Sequence, residues 1–108
     1  MQGYLLIASE DAYERRDLER VRDIALQLRR LDHPVTVFLA QNAVLAARAS
    51  ARAGRLADLL NASVEVLADD FSLRERGIGS TALLAGVRSA AIGVVVERLA
   101  AGWKTIWK

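Results

Sequence analysis

The stretch Val64-Glu65-Val66-Leu67-Ala68-Asp69-Asp70-Phe71-Ser72-Leu73-Arg74-Glu75-Arg76-Gly77-Ile78 decides the fold. Val64 to Ala68 is a short apolar run closed by two acids, which reads as a strand buried in a sheet. Ser72-Leu73-Arg74-Glu75 has the Ser-x-x-Glu form of a capping box, whose two ends satisfy orphan amides of a first helical turn. Gly77 follows directly. The stretch therefore predicts a strand that passes through Asp69 and Asp70 into one short helical turn.

The same alternation extends toward the N-terminus. Gly3 to Ala8 is an apolar run ended by Ser9-Glu10-Asp11 and suits a strand buried on both faces, as in a parallel sheet. Asp11-Ala12-Tyr13-Glu14 is a further capping-box match, so a helix is expected from there. Leu18, Val21, Ile24, Ala25, Leu28 and Leu31 recur at three- and four-residue spacings, one stripe for packing on the sheet. Pro34 disfavours helical geometry at His33 and sets the end near Leu31. Val35 to Ala40 is the second strand. Ala43 to Ala53, rich in Ala and Arg, is expected to be helical, and Arg55 to Asn61 forms a helix with Leu56, Leu59 and Leu60 inward and Asn61 as its C-terminal cap.

Beyond Ile78 the pattern weakens. Ile78 to Gly86 has room for a short strand or helix around Ala82 to Leu84. Arg88 to Ala101 reads as a helix with Ile92, Val95, Val96 and Leu99 inward and Gly102 as its stop. Lys104 to Trp107 is the last strand, with Trp103 and Trp107 on one face of it. Strands alternating with helices predict an α/β fold over residues 1–108 as a single domain: a three-layer αβα arrangement around a mostly parallel sheet of about five strands.

Composition narrows the function classes. With no Cys among 108 residues there is no disulfide framework, thiolate metal cluster or cysteine nucleophile. A net charge of +2, with Lys only at Lys104 and Lys108 and with Arg interleaved with acids as in Glu14-Arg15-Arg16-Asp17-Leu18-Glu19-Arg20, speaks for ion-paired helix faces and against a nucleic-acid partner. Tyr4 to Ala8 lacks the form of an export signal and Ala90 to Val96 is too short to span a bilayer, so no membrane partner is expected and the cytoplasm is the expected location.

In a parallel sheet the functional crevice lies beyond the carboxyl ends of the strands. The residues placed there are Ser9, Glu10 and Asp11 after the first strand, Gln41 and Asn42 after the second, and Asp69 and Asp70 after the third. The acids suggest a divalent-metal or small-molecule site, against the simpler reading that Asp11 and Asp69 or Asp70 cap helices. Acids after the first and third strands also occur in response-regulator receiver domains, but the sole proline is Pro34, so the Lys-Pro pair those domains use is missing. His33 falls on the opposite edge as a turn residue, and no serine has a histidine partner in the crevice, which removes a hydrolase triad. Gly77-Ile78-Gly79-Ser80 departs from the strand-loop-helix form of a nucleotide loop and reads as a turn. No cofactor, catalytic residue or committed metal ligand emerges.

The quoted stretch resembles the signature region of the DsrE/DsrF-like sulfur-relay family, in which a third strand leads into a short helix with an L-R-x-R-G-(I/V) ending. Tyr4-Leu5-Leu6-Ile7, Pro34 to Leu39 followed by Asn42-Ala43-Val44, and Gly102-Trp103-Lys104-Thr105-Ile106-Trp107 extend the resemblance over nearly the whole chain. It implies that the position of the family's persulfide-carrying cysteine, eight before Gly77, is held here by Asp69. A carboxylate caps a helix but carries no sulfane sulfur. The family's hetero-oligomeric complexes contain subunits without the cysteine, so the resemblance implies a non-catalytic structural or regulatory subunit in intracellular sulfur transfer or oxidation. The partners it implies are other copies of the chain and a cysteine-bearing relative. Apolar surface expected on Ala43 to Ala53 and at Trp103 and Trp107 points the same way, toward a homo-oligomer.

Overall fold

The computed structural model describes residues 2–9, 17–49 and 55–107. Five strands, β1 (Tyr4–Ala8), β2 (Val35–Leu39), β3 (Glu65–Asp69), β4 (Arg88–Ala90) and β5 (Lys104–Trp107), form one sheet in the order β4-β3-β2-β1-β5. Every pairing is parallel. The helices are α1 (Asp17–Arg30), α2 (Arg55–Asn61), α3 (Asp70–Glu75) and α4 (Gly93–Ala100), with 3₁₀ turns at Gln41–Ala47 and Ser80–Ala82.

The order dictates the layers. From β1 to β4 the chain steps one way across the sheet, and right-handed crossovers lay those connections on one face. The return from β4 to β5 runs the other way, so α4 lands on the opposite face. Two cores result. The first gathers Leu6, Val37, Leu39 and Val66 of the sheet with Leu18, Val21 and Ala25 of α1 and Leu56 and Leu59 of α2. The second is smaller: Leu5, Ile7, Phe38 and Leu67 lie under Val95 of α4, with Trp103 packed beside them. Alternation along each strand feeds both, which is why the strands are apolar at nearly every position. Gly3 belongs to this second layer, because a Cβ there would lie 2.4 Å from atoms of the Trp103 ring.

Each helix ends the same way. A residue with positive φ follows the last turn: Asp32 (65°), Ser63 (65°), Gly77 (66°) and Gly102 (86°). The next amide then reaches back five residues, as in His33 N to Leu28 O at 3.1 Å and Val64 N to Leu59 O at 3.0 Å. The left-handed position after α2 is Ser63 rather than Asn61, and α1 is stopped by Asp32 before Pro34 takes effect. His33 sits at that turn, its ring Nδ1 3.1 Å from Gln2 O and its edge against Tyr4.

Several expectations need correction. The predicted capping box at Ser72 does not start α3; the helix begins three residues earlier, with Asp69 as its N-cap. The segment after residue 42 is a 3₁₀ turn through Ala47, with Ala43, Val44 and Ala47 fully buried in the chain's own core and Leu45 and Ala46 partly so; residues 50–53 of the expected helix lie outside the described residues. The helix read from Arg88 opens instead with the edge strand β4, and Ile92, Val96 and Leu99 point outward, leaving Val95 as the buried position of α4. Leu31 is exposed at the end of its stripe. The expected capping box at Asp11 to Glu14 lies outside the described residues.

A charged cluster fastens α4 to its face. Thr36 Oγ1 donates to Glu65 Oε1 at 2.7 Å, Arg98 Nη2 of α4 lies 3.0 Å from the same oxygen, and Arg88 Nη2 lies 2.7 Å from Oε2. Arg98 also donates to Thr36 Oγ1, and its Cζ sits 4.7 Å from the centroid of the Trp103 ring. Partial burial pushes the Glu65 carboxyl up, but the hydrogen bonds from Thr36 and Arg98 and the charges of Arg98 and Arg88 outweigh it and hold the group below its ordinary value of 4.5. A carboxylate with a lowered folded pKa stabilises above its unfolded value and loses that contribution as pH falls through the folded one. Glu65→Gln should therefore cost about 1–2 kcal/mol at pH 7. In urea denaturation followed from pH 7 downward, the gap between the two proteins should hold to about pH 5 and close below 4.5.

Candidate functional site

β3 runs into α3 without a linker, since Asp69 ends one and Asp70 starts the other. Such a junction leaves the first amides of the helix without partners. Asp69 Oδ2 supplies one, accepting from Ser72 N at 3.1 Å, and it accepts from Ser72 Oγ at 2.6 Å. Ser72 Oγ in turn accepts from the Gln41 backbone N at 2.8 Å. Gln41 holds a φ of 52°, which turns the chain after β2 so that its amide faces α3. Asn42 Oδ1 accepts from Arg76 Nε at 3.3 Å and Nη2 at 3.0 Å, while Arg76 Nη1 donates to Ser72 O at 3.2 Å.

Four of the residues expected at the strand ends are thereby located. Asp69 and the Gln41 backbone meet through Ser72, and Asn42 joins through Arg76. Asp70 stands apart, on the flank of α3 with its carboxylate 3.8 Å from Arg74 Nη1. Ser9 follows β1, half-exposed. Glu10 and Asp11 lie outside the described residues. Among the described residues no group of three or more His, Asp or Glu side chains gathers as a metal site would require, and the two aspartates of the junction face different surroundings. Ser72 and Arg76 were missed as members of this network. The signal for Ser72 was present, since Asp69-x-x-Ser72 is itself a capping pattern, but the Ser-x-x-Glu match masked it.

Chemically this arrangement is closed. Asp69 and Ser72 are both buried, Ser72 Oγ both donates and accepts within the chain, and the carboxylate oxygen nearest the helix is engaged twice. A more open feature lies on the other side of α3: a pocket of about 230 Å3 between α3, the Ile78–Ser80 turn and Ser89 of β4. No helix among the described residues is long and apolar enough to cross a membrane.

The model of the DsrE/DsrF-like family matches residues 2–107. No curated protein sequence matches. Among solved structures the chain is similar to the ychN protein from E. coli, with a TM-score of 0.90 at 21% identity and all of both chains covered. It is also similar to a protein of unknown function, MTH1491 from Methanobacterium thermoautotrophicum, at 0.85 and 23% identity over all of both chains. A third, BT1422 from Bacteroides thetaiotaomicron, matches at 0.80 and 17% identity, covering 99% of this chain and 95% of that one. At these identities the likeness speaks to the fold.

The capping geometry makes Asp69 separable from its neutral isostere. Asp69→Ala removes the acceptor of both Ser72 bonds and should cost about 0.5–2 kcal/mol. For a domain of this size that is a fall in melting temperature of roughly 4–8 °C for each kcal/mol. Asp69→Asn keeps an acceptor and should lose less than half as much in the same thermal melts.

Proposed function

Because the chain belongs to the DsrE/DsrF-like family, we propose that it is a non-catalytic subunit of an intracellular sulfur-transfer or sulfur-oxidation system, acting as a structural or regulatory partner. One observation carries the reading: the position that the resemblance assigns to the carrier cysteine holds Asp69, whose carboxylate is committed to capping α3, and the sequence contains no Cys at all. A persulfide needs a thiolate sulfur to receive the sulfane atom, and neither a carboxylate nor the buried Ser72 hydroxyl forms one. What such a subunit contributes is surface: it shapes and stabilises an assembly in which a cysteine-bearing relative does the chemistry.

The surface best suited to assembly is the outer side of the second layer. Ile92, Val96 and Leu99 are exposed and spaced four and three apart, so they form one stripe on α4. Trp107 is 67% exposed and pairs in register with Ile7, whose side chain belongs to the second core, so it stands on the same face of the sheet. Trp103, by contrast, is half-buried under Arg98. In this reading a second copy of the chain covers α4 and Trp107, and the Arg-rich flank of α1 stays in water.

Two measurements test the proposal. Incubation with a persulfide donor followed by intact-mass determination should leave the chain at 11.8 kDa with no added sulfur; a stable adduct would overturn the non-catalytic reading. Light scattering should give a mass that is a multiple of 11.8 kDa at micromolar concentration, falling to the single-chain value in Val96→Asp, whose outward position spares the core. A wild-type mass of one chain at high micromolar concentration would remove the self-assembly part.

A further inference from the structure

The pocket beside α3 shares no lining residue with the Asp69 network and is built from three separate parts of the chain. Asp70, Leu73 and Arg74 form one wall, Ile78 and Ser80 a second, and Ser89 of β4 the third. Ser89 pairs with Ala68, whose side chain belongs to the first core, so the pocket opens on the first face at the β4 edge of the sheet. Its volume of about 230 Å3 falls below the roughly 300–1,000 Å3 typical of drug-sized ligand sites, which excludes a nucleotide and leaves room for a molecule of fewer than about a dozen heavy atoms.

The polar groups around it reach solvent. Ser80 and Ser89 are both exposed, which leaves their hydroxyls accessible to a ligand. Asp70 and Arg74 form an ion pair at 3.8 Å, beyond hydrogen-bond distance, and with side chains 40% and 69% exposed they attract one another weakly and keep their donors and acceptors. Arg74 offers a planar fork matched to a carboxylate, and the serine hydroxyls add donors beside it. Asp70 is the discriminating element. It cancels the charge of Arg74, which disfavours a dianion such as phosphate, and it supplies an acceptor for a cation one helical turn from the guanidinium. Leu73, buried, and Ile78, half-buried, add apolar lining to the same pocket.

We propose that this pocket binds a small zwitterion, a free α-amino acid with a short aliphatic side chain: its carboxylate on Arg74 and the serine hydroxyls, its ammonium on Asp70, and its side chain over Leu73 and Ile78. The site makes no use of Asp69 and requires no sulfur chemistry, so it stands or falls independently of the family-based reading.

The test is an amide chemical-shift titration of the full chain at neutral pH with L-valine, isobutyrate, isopropylamine and inorganic phosphate. L-Valine should give saturable shifts at Arg74, Ser80 and Ser89, with a midpoint on the order of a millimolar for so small a ligand. Isobutyrate and isopropylamine, each carrying one of the two charges, should bind at least tenfold more weakly. Arg74→Gln and Asp70→Asn should each weaken valine at least tenfold while shifts remote from the pocket remain those of the folded wild type. The proposal is overturned by an absence of saturation at tens of millimolar valine, by isobutyrate or phosphate matching valine, or by valine binding that survives either substitution.

Discussion

A strand that becomes a helix between two consecutive residues has to satisfy the first helical amides from its own last side chain, and in this chain that side chain is Asp69. The carboxylate holds Ser72 through both backbone and hydroxyl, and Ser72 holds the Gln41 amide, so a single acceptor fixes the start of α3 and the path of the chain after β2. Arg76, at the far end of α3, closes the circuit onto Asn42. Because these contacts join residues about thirty positions apart, they also fix β2 against β3 at the edge where the family resemblance places its chemistry. The pocket on the other flank inherits its shape from the same junction, since Asp70, Leu73 and Arg74 are presented by a helix whose direction Asp69 sets.

The strand order imposes a second constraint, an imbalance between the two faces. Three connections cover one face and only α4 covers the other. Burying a Leu, Val or Phe side chain contributes about 1.5–3 kcal/mol, so a helix with Val95 as its buried apolar position adds little by area alone. The attachment of α4 is therefore assisted by charge: Arg98 reaches over the edge of the core to Glu65 and Thr36 and stacks on Trp103, whose ring lies where Gly3 has no side chain. The outward Ile92, Val96 and Leu99 follow from the same economy. A helix that satisfied its apolar residues internally would have turned that stripe inward and had no need of the ion pair.

Much of this architecture is legible in the sequence. The buried strands stand out because parallel pairing makes them apolar at nearly every position, and α2 and β5 fall at the residues expected from their apolar spacing. The C-terminal part is harder. β4 is a three-residue edge strand with two exposed side chains, so it has no hydrophobic run to betray it, and Arg88 to Ala90 merge into the helical pattern that follows. On α4 the periodicity reveals a stripe without saying which way it faces; an inward Arg98 anchored by Glu65, thirty-three positions earlier, takes the place that an apolar residue was expected to fill. The site divides in the same way. Asp69 and Asp70 are visible as acids ending a strand, whereas Ser80 and Ser89 become part of a pocket only when β3 and β4 pair.

Under the proposal that Asp69 stands where the family carries its cysteine, the junction accounts for the exchange. The amino end of a helix carries partial positive charge and unpaired amides, so it stabilises an anion of whatever kind sits there, thiolate or carboxylate. A reactive cysteine at such a position draws its lowered pKa from the same amides that a capping aspartate uses for hydrogen bonds. Exchange of one for the other keeps the electrostatic demand of the helix satisfied, and the carboxylate meets it better because its oxygens are stronger acceptors than sulfur. In the proposed non-catalytic subunit, selection on Asp69 is then selection on the shape of the β3–α3 edge rather than on any reacting atom.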